Sequence, residues 1–249
     1  MSSSSSPSSP FHISIDLSHT ALLLSDIQSE ILARFPPDKQ GAYLSEVLTL
    51  VTLFRNEIQH RRSSASTGFS TLDYQGKTKT KTKSAYEEVP LIIHHVFPFG
   101  YNSNAFISPY NKLASWMKSL EDKGFFKIPD AAKDPRTPRY AVPELLSPEA
   151  GFGGPDEILL PKFQTSSFGS SDMLAYLRAR GIKHVILCGL TTMGAILGGA
   201  RQGTDLDYHV VIPRQAVMDD EEDVNAFLLE RVLPKFADVV DLEDVKGVF

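Results

Sequence analysis

The chain has 249 residues, 42% hydrophobic and 22% charged, the composition of one large globular domain or two small ones. A formal net charge of −5 leaves no broad basic surface, so nucleic acid is not an expected partner. The single cysteine, Cys188, excludes an internal disulfide and a cysteine-built metal cluster.

The chain opens with MSSSSSPSSP, a polar stretch without the basic and apolar regions of a secretory signal. It predicts a disordered tail over 1–17 and one folded domain over 18–249. No apolar run reaches the roughly 20 residues that span a bilayer, so no membrane contact is expected. A lone thiol fits a reducing, cytoplasmic setting.

The run TALLLS (20–25) reads as a buried strand ending at Asp26. Pro36 and Pro37 then open a helix, with Leu44, Val47, Leu48, Val51, Phe54 and Ile58 at three- and four-residue steps. The basic cluster His60, Arg61 and Arg62 suits that helix's C-terminus. Residues 63–88 are polar, contain KTKTKTK and read as a flexible insertion. VPLIIHHVF (89–97) predicts a second strand and 111–121 a short helix, while 122–156 reads as irregular. Ile158 to Leu160 make a third strand, followed by Pro161 and Lys162. A helix over 171–180 precedes the clearest strand, KHVILCG (183–189). Thr191 and Thr192 start a helix over about 193–204. Strands follow at 208–213 and 237–242. Between them Asp219 to Glu222 stand in the first turn of a helix, where acids complement its dipole.

This alternation predicts a three-layer α/β/α, Rossmann-like fold with a mostly parallel sheet of about six strands. Ligands in such sheets bind beyond the C-terminal ends of the strands. Asp26, Lys162 and the turn Gly189–Ala195 occupy such ends. A carboxylate among apolar residues acquires a raised pKa and can move protons near neutrality; its structural alternative is a helix N-cap. A lysine at the neighbouring strand mouth can pair with it and stabilise a developing oxyanion, or be merely solvated. The backbone N–H groups near Gly194 and Ala195 offer an anion site, and Gly194 equally suits close helix docking. His94 and His95 alternate across a strand and face opposite ways, so a metal chelate is not expected from them. Cys188 lies inside an apolar strand and reads as an inert core thiol. No GxSxG elbow, P-loop or GxGxxG occurs.

ALLLSDIQ (21–28), the stretch from Leu159 to Arg201 and DYHVVIPRQAV (207–217) together resemble the isochorismatase-like, or cysteine hydrolase, superfamily. The resemblance implies a small-molecule hydrolase acting on ether or C–N bonds, without a cofactor and commonly a homodimer or homotetramer. Its reactive trio is Asp, Lys and Cys. Asp26 and Lys162 match the first two, and Ala195 stands at the cysteine's position. A methyl group cannot attack a carbonyl, which closes the covalent thioester route. Isochorismatases likewise lack the thiol. Asn111-Lys112, the Thr-x-Gly turn and Pro234 to Val239 are similar to a cysteine-less fungal and bacterial group. The Asp-x-His of zinc-bearing nicotinamidases is missing at His95 to Phe97, so no metal is implied.

The expected function is hydrolysis of a small carboxylated or carbonyl metabolite through Asp26 and Lys162. Gln28, Asn111, Phe168, Thr192, Met193 and Gly194 are the expected substrate contacts. Two alternatives stand beside it: a non-catalytic binding or interaction protein on the same fold, and a cysteine amidase with alanine in place of its nucleophile.

Overall fold

A computed structural model describes residues 13–65, 88–97, 107–123, 142–148, 152, 154–169 and 171–249. Seven strands form one parallel sheet: β1 (Thr20–Ser25), β2 (Leu91–Val96), β3 (Glu157–Pro161), β4 (His184–Leu190), β5 (His209–Pro213), β6 (Val217–Met218) and β7 (Asp238–Val240). Their order is β3-β2-β1-β4-β5-β7, with β6 paired to the end of β4. β1 and β2 are buried along their whole length and β4 along nearly all of it. Unbroken apolar runs are what a parallel sheet covered on both faces requires.

Even positions of the central strands, such as Leu22, Leu24, Ile92, Ile186 and Cys188, pack on one face with Val47, Leu50, Val51 and Phe54 of α2 (Pro37–Ala65). Odd positions such as Leu23, Ile93, Val185 and Leu187 face α4 (Ser171–Ala179) and α5 (Leu197–Asp205). Each fully buried Leu, Ile or Val contributes about 1.5–3 kcal/mol by leaving water, so this two-sided burial fixes the register of every central strand. The short α1 (Ser29–Leu32), α3 (Lys112–Asp122), α6 (Glu222–Phe227) and α7 (Leu242–Lys246) complete the layers.

The expected three-layer α/β/α architecture is present. Its differences from the sequence reading have local causes. Ile13 and Leu17 are buried, so the ordered chain starts before residue 18. α2 continues past the basic cluster to Ala65; Arg61 pairs with Glu57 one turn back and reaches Ser18, and Arg62 pairs with Asp156. The remainder of the expected insertion, 66–87, lies outside the described residues. β6 has two residues, too few for any alternation to show. The helix expected from Asp219 begins at Glu222, because Asp219 is held by backbone N–H groups elsewhere.

The order of the strands creates the ligand position. β2 and β3 lie to one side of β1, and β4, β5 and β7 to the other. The sheet's switch point therefore falls between the C-terminal ends of β1 and β4, where a crevice opens. There the two strands come very close. Gly189 has φ 142°, and a Cβ added to it would stand 2.0 Å from the Ser25 carbonyl oxygen. Only glycine fits. Gly189→Ala is expected to destabilise the fold by at least about 2 kcal/mol, measured by denaturant unfolding; an unchanged midpoint would contradict this account of the strand contact.

Candidate active site

Asp26 follows β1 in the left-handed backbone region, φ 57°, a conformation that aspartate tolerates better than most residues. Its N–H donates to the His95 carbonyl of β2 at 2.8 Å, and this fixes the direction in which the carboxylate leaves the sheet. Two residues on, the Gln28 side chain makes two hydrogen bonds with the Phe97 backbone. Its Nε2–H donates to the carbonyl at 2.8 Å, and its Oε1 accepts from the N–H at 2.7 Å. The ends of β1 and β2 are thereby latched together.

Lys162 follows β3. Its N–H donates to Val96 O at 2.9 Å. Its side chain is only 1% exposed and reaches back so that Nζ lies 2.6 Å from Asp26 Oδ2. A second ammonium proton goes to the Thr165 carbonyl at 2.7 Å. The loop bearing that carbonyl is tied to β1 by the Ser25 and Ser167 hydroxyls, 3.0 Å apart. Burial pushes the Asp26 pKa up to about 6, and the Lys162 ammonium pulls against that rise without cancelling it. The result is a carboxyl that changes charge close to neutrality. Asp26 Oδ1 is buried with no hydrogen-bond partner among the described residues.

On the other side of the crevice, β4 runs into a π-helical turn, Thr192–Ile196, and then α5. Turns of this kind are rare and concentrate at functional positions. A cavity of about 430 Å³ spans the crevice. Asp26, Lys162, Thr165, Leu190, Met193, Gly194 and Ala195 are among the residues that line it. Arg34, Asn111, Lys112, Trp116, Asp219, Asp220 and Glu221 also line it.

Residues 125–244 match the sequence profile of the isochorismatase domain. That segment, just under half of the chain, is similar to the isochorismatase domain. The chain's fold is shared with an isochorismatase family protein from Burkholderia thailandensis, at 19% identity over 96% of this chain and 98% of that one, TM-score 0.61. It is shared also with N-carbamoylsarcosine amidase from Thermoplasma acidophilum, at 17% identity over 90% and 97%, TM-score 0.52. In sequence, a segment is 29% identical to maleamate amidohydrolase of Pseudomonas putida, over 43% of this chain and 48% of that protein. Another is 32% identical to a ureidoacrylate amidohydrolase of Azorhizobium caulinodans, over 31% of this chain and 32% of that protein. The matches thus span half or less of these two relatives' own length.

Of the residues singled out in the sequence, the cavity brings together Asp26, Lys162, Ala195, Asn111, Met193 and Gly194. Gln28, Phe168 and Thr192 are not among its lining residues. Gln28 is the latch just described. Phe168 is buried and stacks on Tyr208, and the Thr192 hydroxyl donates to Asn225 Oδ1 at 2.6 Å. The expected anion cradle also changes. The Met193 N–H goes to Asp219 Oδ2 at 2.7 Å, and the Gly194 N–H goes to the Thr191 carbonyl at 3.1 Å. The Gly194 amide is thus committed within the turn, and the lining cation in contact with Asp26 is Lys162. Asn111 Oδ1 accepts the Leu113 N–H at 3.0 Å and so caps α3 as well as facing the cavity.

Arg34, Trp116 and Asp219 are cavity residues that the sequence did not reveal. Arg34 sits in no motif, and Asp219 is indistinguishable in sequence from a first-turn helix acid. Cys188 is fully buried, and burial pushes its thiol far above the ordinary range, so it stays protonated. His94 pairs with Glu157 at 2.8 Å on the α2 face. His95 points the opposite way, and burial beside Lys162 depresses it to about 3. No group of His, Cys, Asp and Glu among the described residues could hold a metal ion, and no described helix is long and apolar enough to cross a membrane.

The charge balance predicts a measurable titration. Infrared difference spectra of the wild type against Asp26→Asn should show one carboxyl ionising near pH 6. In Lys162→Met the opposing ammonium is gone, and the same signal should move upward by about one unit or more. A downward move would contradict the assignment.

Proposed function

We propose that this protein is a hydrolase that cleaves a C–N bond beside a small molecule's carbonyl, without a covalent intermediate. The observation that carries the reading is the buried contact of Asp26 and Lys162, 2.6 Å apart, on a cavity with a methyl group at Ala195. Two amidohydrolases among the sequence relatives support the choice of bond.

Above its pKa of about 6, Asp26 is a carboxylate and acts as a general base on a water molecule. The water oxygen attacks the carbonyl carbon while its proton passes to Asp26. The carbonyl oxygen becomes an oxyanion beside the buried Lys162 ammonium, which stabilises it. Collapse breaks the C–N bond. The leaving nitrogen takes the proton held by Asp26, and a carboxylic acid and an amine depart. Lys162 is the cationic partner throughout: Thr165 O and Asp26 hold two of its protons, leaving the third for the substrate. Small carboxylated and carbonyl metabolites both fit this scheme.

Asp26→Asn keeps the shape and removes the base. It is expected to lower kcat by about a hundredfold or more while the substrate dissociation constant changes little. Steady-state kinetics with binding calorimetry check this; a variant that turns over at the wild-type rate overturns the role of Asp26. Ligands that bind to the wild type and are never converted would favour instead a binding protein on the same fold.

A further inference from the structure

The proposed chemistry leaves one buried cation of the cavity without a role. Arg34, just after α1, has a side chain only 8% exposed and is ion-paired with Asp220. Its Cζ lies 5.0 Å from the centre of the Trp116 ring, and the Asp219 carboxylate attracts it as well. All four residues line the same cavity as Asp26 and Lys162. The guanidinium is thus held between a carboxylate and an aromatic face, both from other parts of the chain.

The remaining charges on the wall are similarly committed. Lys162 is neutralised by Asp26. Asp219 accepts the Met193 N–H at 2.7 Å and the Asp220 N–H at 2.9 Å. Lys112 is exposed at the start of α3, where water screens its charge. Among the described lining residues four acids (Asp26, Asp219, Asp220, Glu221) face three bases (Arg34, Lys112, Lys162). A ligand carboxylate entering this space loses its hydration and meets no inner cation whose charge is not already balanced by a carboxylate of the wall, which makes its burial costly. A neutral carbonyl needs only hydrogen bonds. Its body can pack against Ile31, Phe97, Leu113, Met117 and Leu190, all on the same wall.

We infer that the Arg34–Asp220 pair makes this cavity selective for uncharged carbonyl compounds with an apolar body, amides above all, over the corresponding carboxylates. This rests on the hydrolase reading for the identity of the cavity, and it narrows the two substrate classes that reading admits to one. The same selectivity serves turnover, because hydrolysis converts a favoured neutral amide into a disfavoured carboxylate that leaves.

The test is binding calorimetry on the full chain with matched pairs: benzamide and benzoate, cyclohexanecarboxamide and cyclohexanecarboxylate. At about pH 7, where the acids are ionised, at least one amide is expected to bind about tenfold or more tightly than its carboxylate. Asp220→Asn uncouples Arg34, so the carboxylates should gain about tenfold while the amides barely move. Adding Arg34→Gln should remove that gain. Carboxylates that bind the wild type as tightly as their amides, or a panel in which no amide binds, would overturn the inference; this comparison needs no variant to fold. Amides that bind but are never hydrolysed would sink the hydrolase reading and leave the selectivity standing. Tight carboxylate binding alongside amide turnover would do the reverse.

Discussion

The contact between Asp26 and Lys162 is the constraint around which the rest of the crevice is arranged. Two opposite charges have been taken out of water at the mouth of a parallel sheet, and each loses much of its hydration there. Such a pair holds together only if both partners are fixed, and the surrounding bonds do the fixing. The Asp26 N–H is anchored to the His95 carbonyl. The Gln28 latch on Phe97 locks the strand ends, and the Ser25–Ser167 contact holds the loop whose Thr165 carbonyl receives the Lys162 ammonium. The close approach of Gly189 to Ser25 brings the π-helical turn against this group. None of these residues needs to touch a substrate to matter. Each sets the distance at which burial and the ammonium's attraction compete for the Asp26 proton.

On the proposed reading, that competition is what would let the site dispense with a thiol. A cysteine nucleophile would need to be ionised, and the one thiol present is buried deep in β4 and kept protonated. A carboxyl poised near pH 6 needs no such activation. It can accept a proton from water and return it to a leaving group at the same pH. Ala195 lines the same cavity as Asp26, and its methyl offers no group that would compete with water as a nucleophile.

The sheet was legible in the sequence because its central strands are unbroken apolar runs, as in TALLLS and HVILCG, which only a doubly covered parallel strand demands. Asp26 and Lys162 were legible for the same reason: each is the first polar residue beyond such a run or its terminal proline, which puts it at a strand mouth. What the sequence did not reveal depends on contacts between distant segments. Gln28 resembles a substrate contact until its amide is seen bonded to Phe97, 69 residues away. Asp219 resembles a helix-dipole acid until its carboxylate is seen receiving the Met193 N–H. Arg34 has no distinguishing neighbours in sequence, and its place beside Asp220 and Trp116 arises only from contacts between segments far apart in the chain. Polar side chains at a crevice divide between holding the wall and facing the ligand, and spacing alone does not say which.

The most direct test of the central claim is the pH dependence of kcat/KM on an amide substrate. If the Asp26 carboxylate is the base, the rate constant rises with pH through a single ionisation close to 6 and then levels off, following the fraction of Asp26 ionised in the free enzyme. A flat profile across that region, or one that falls as Asp26 ionises, would contradict the account.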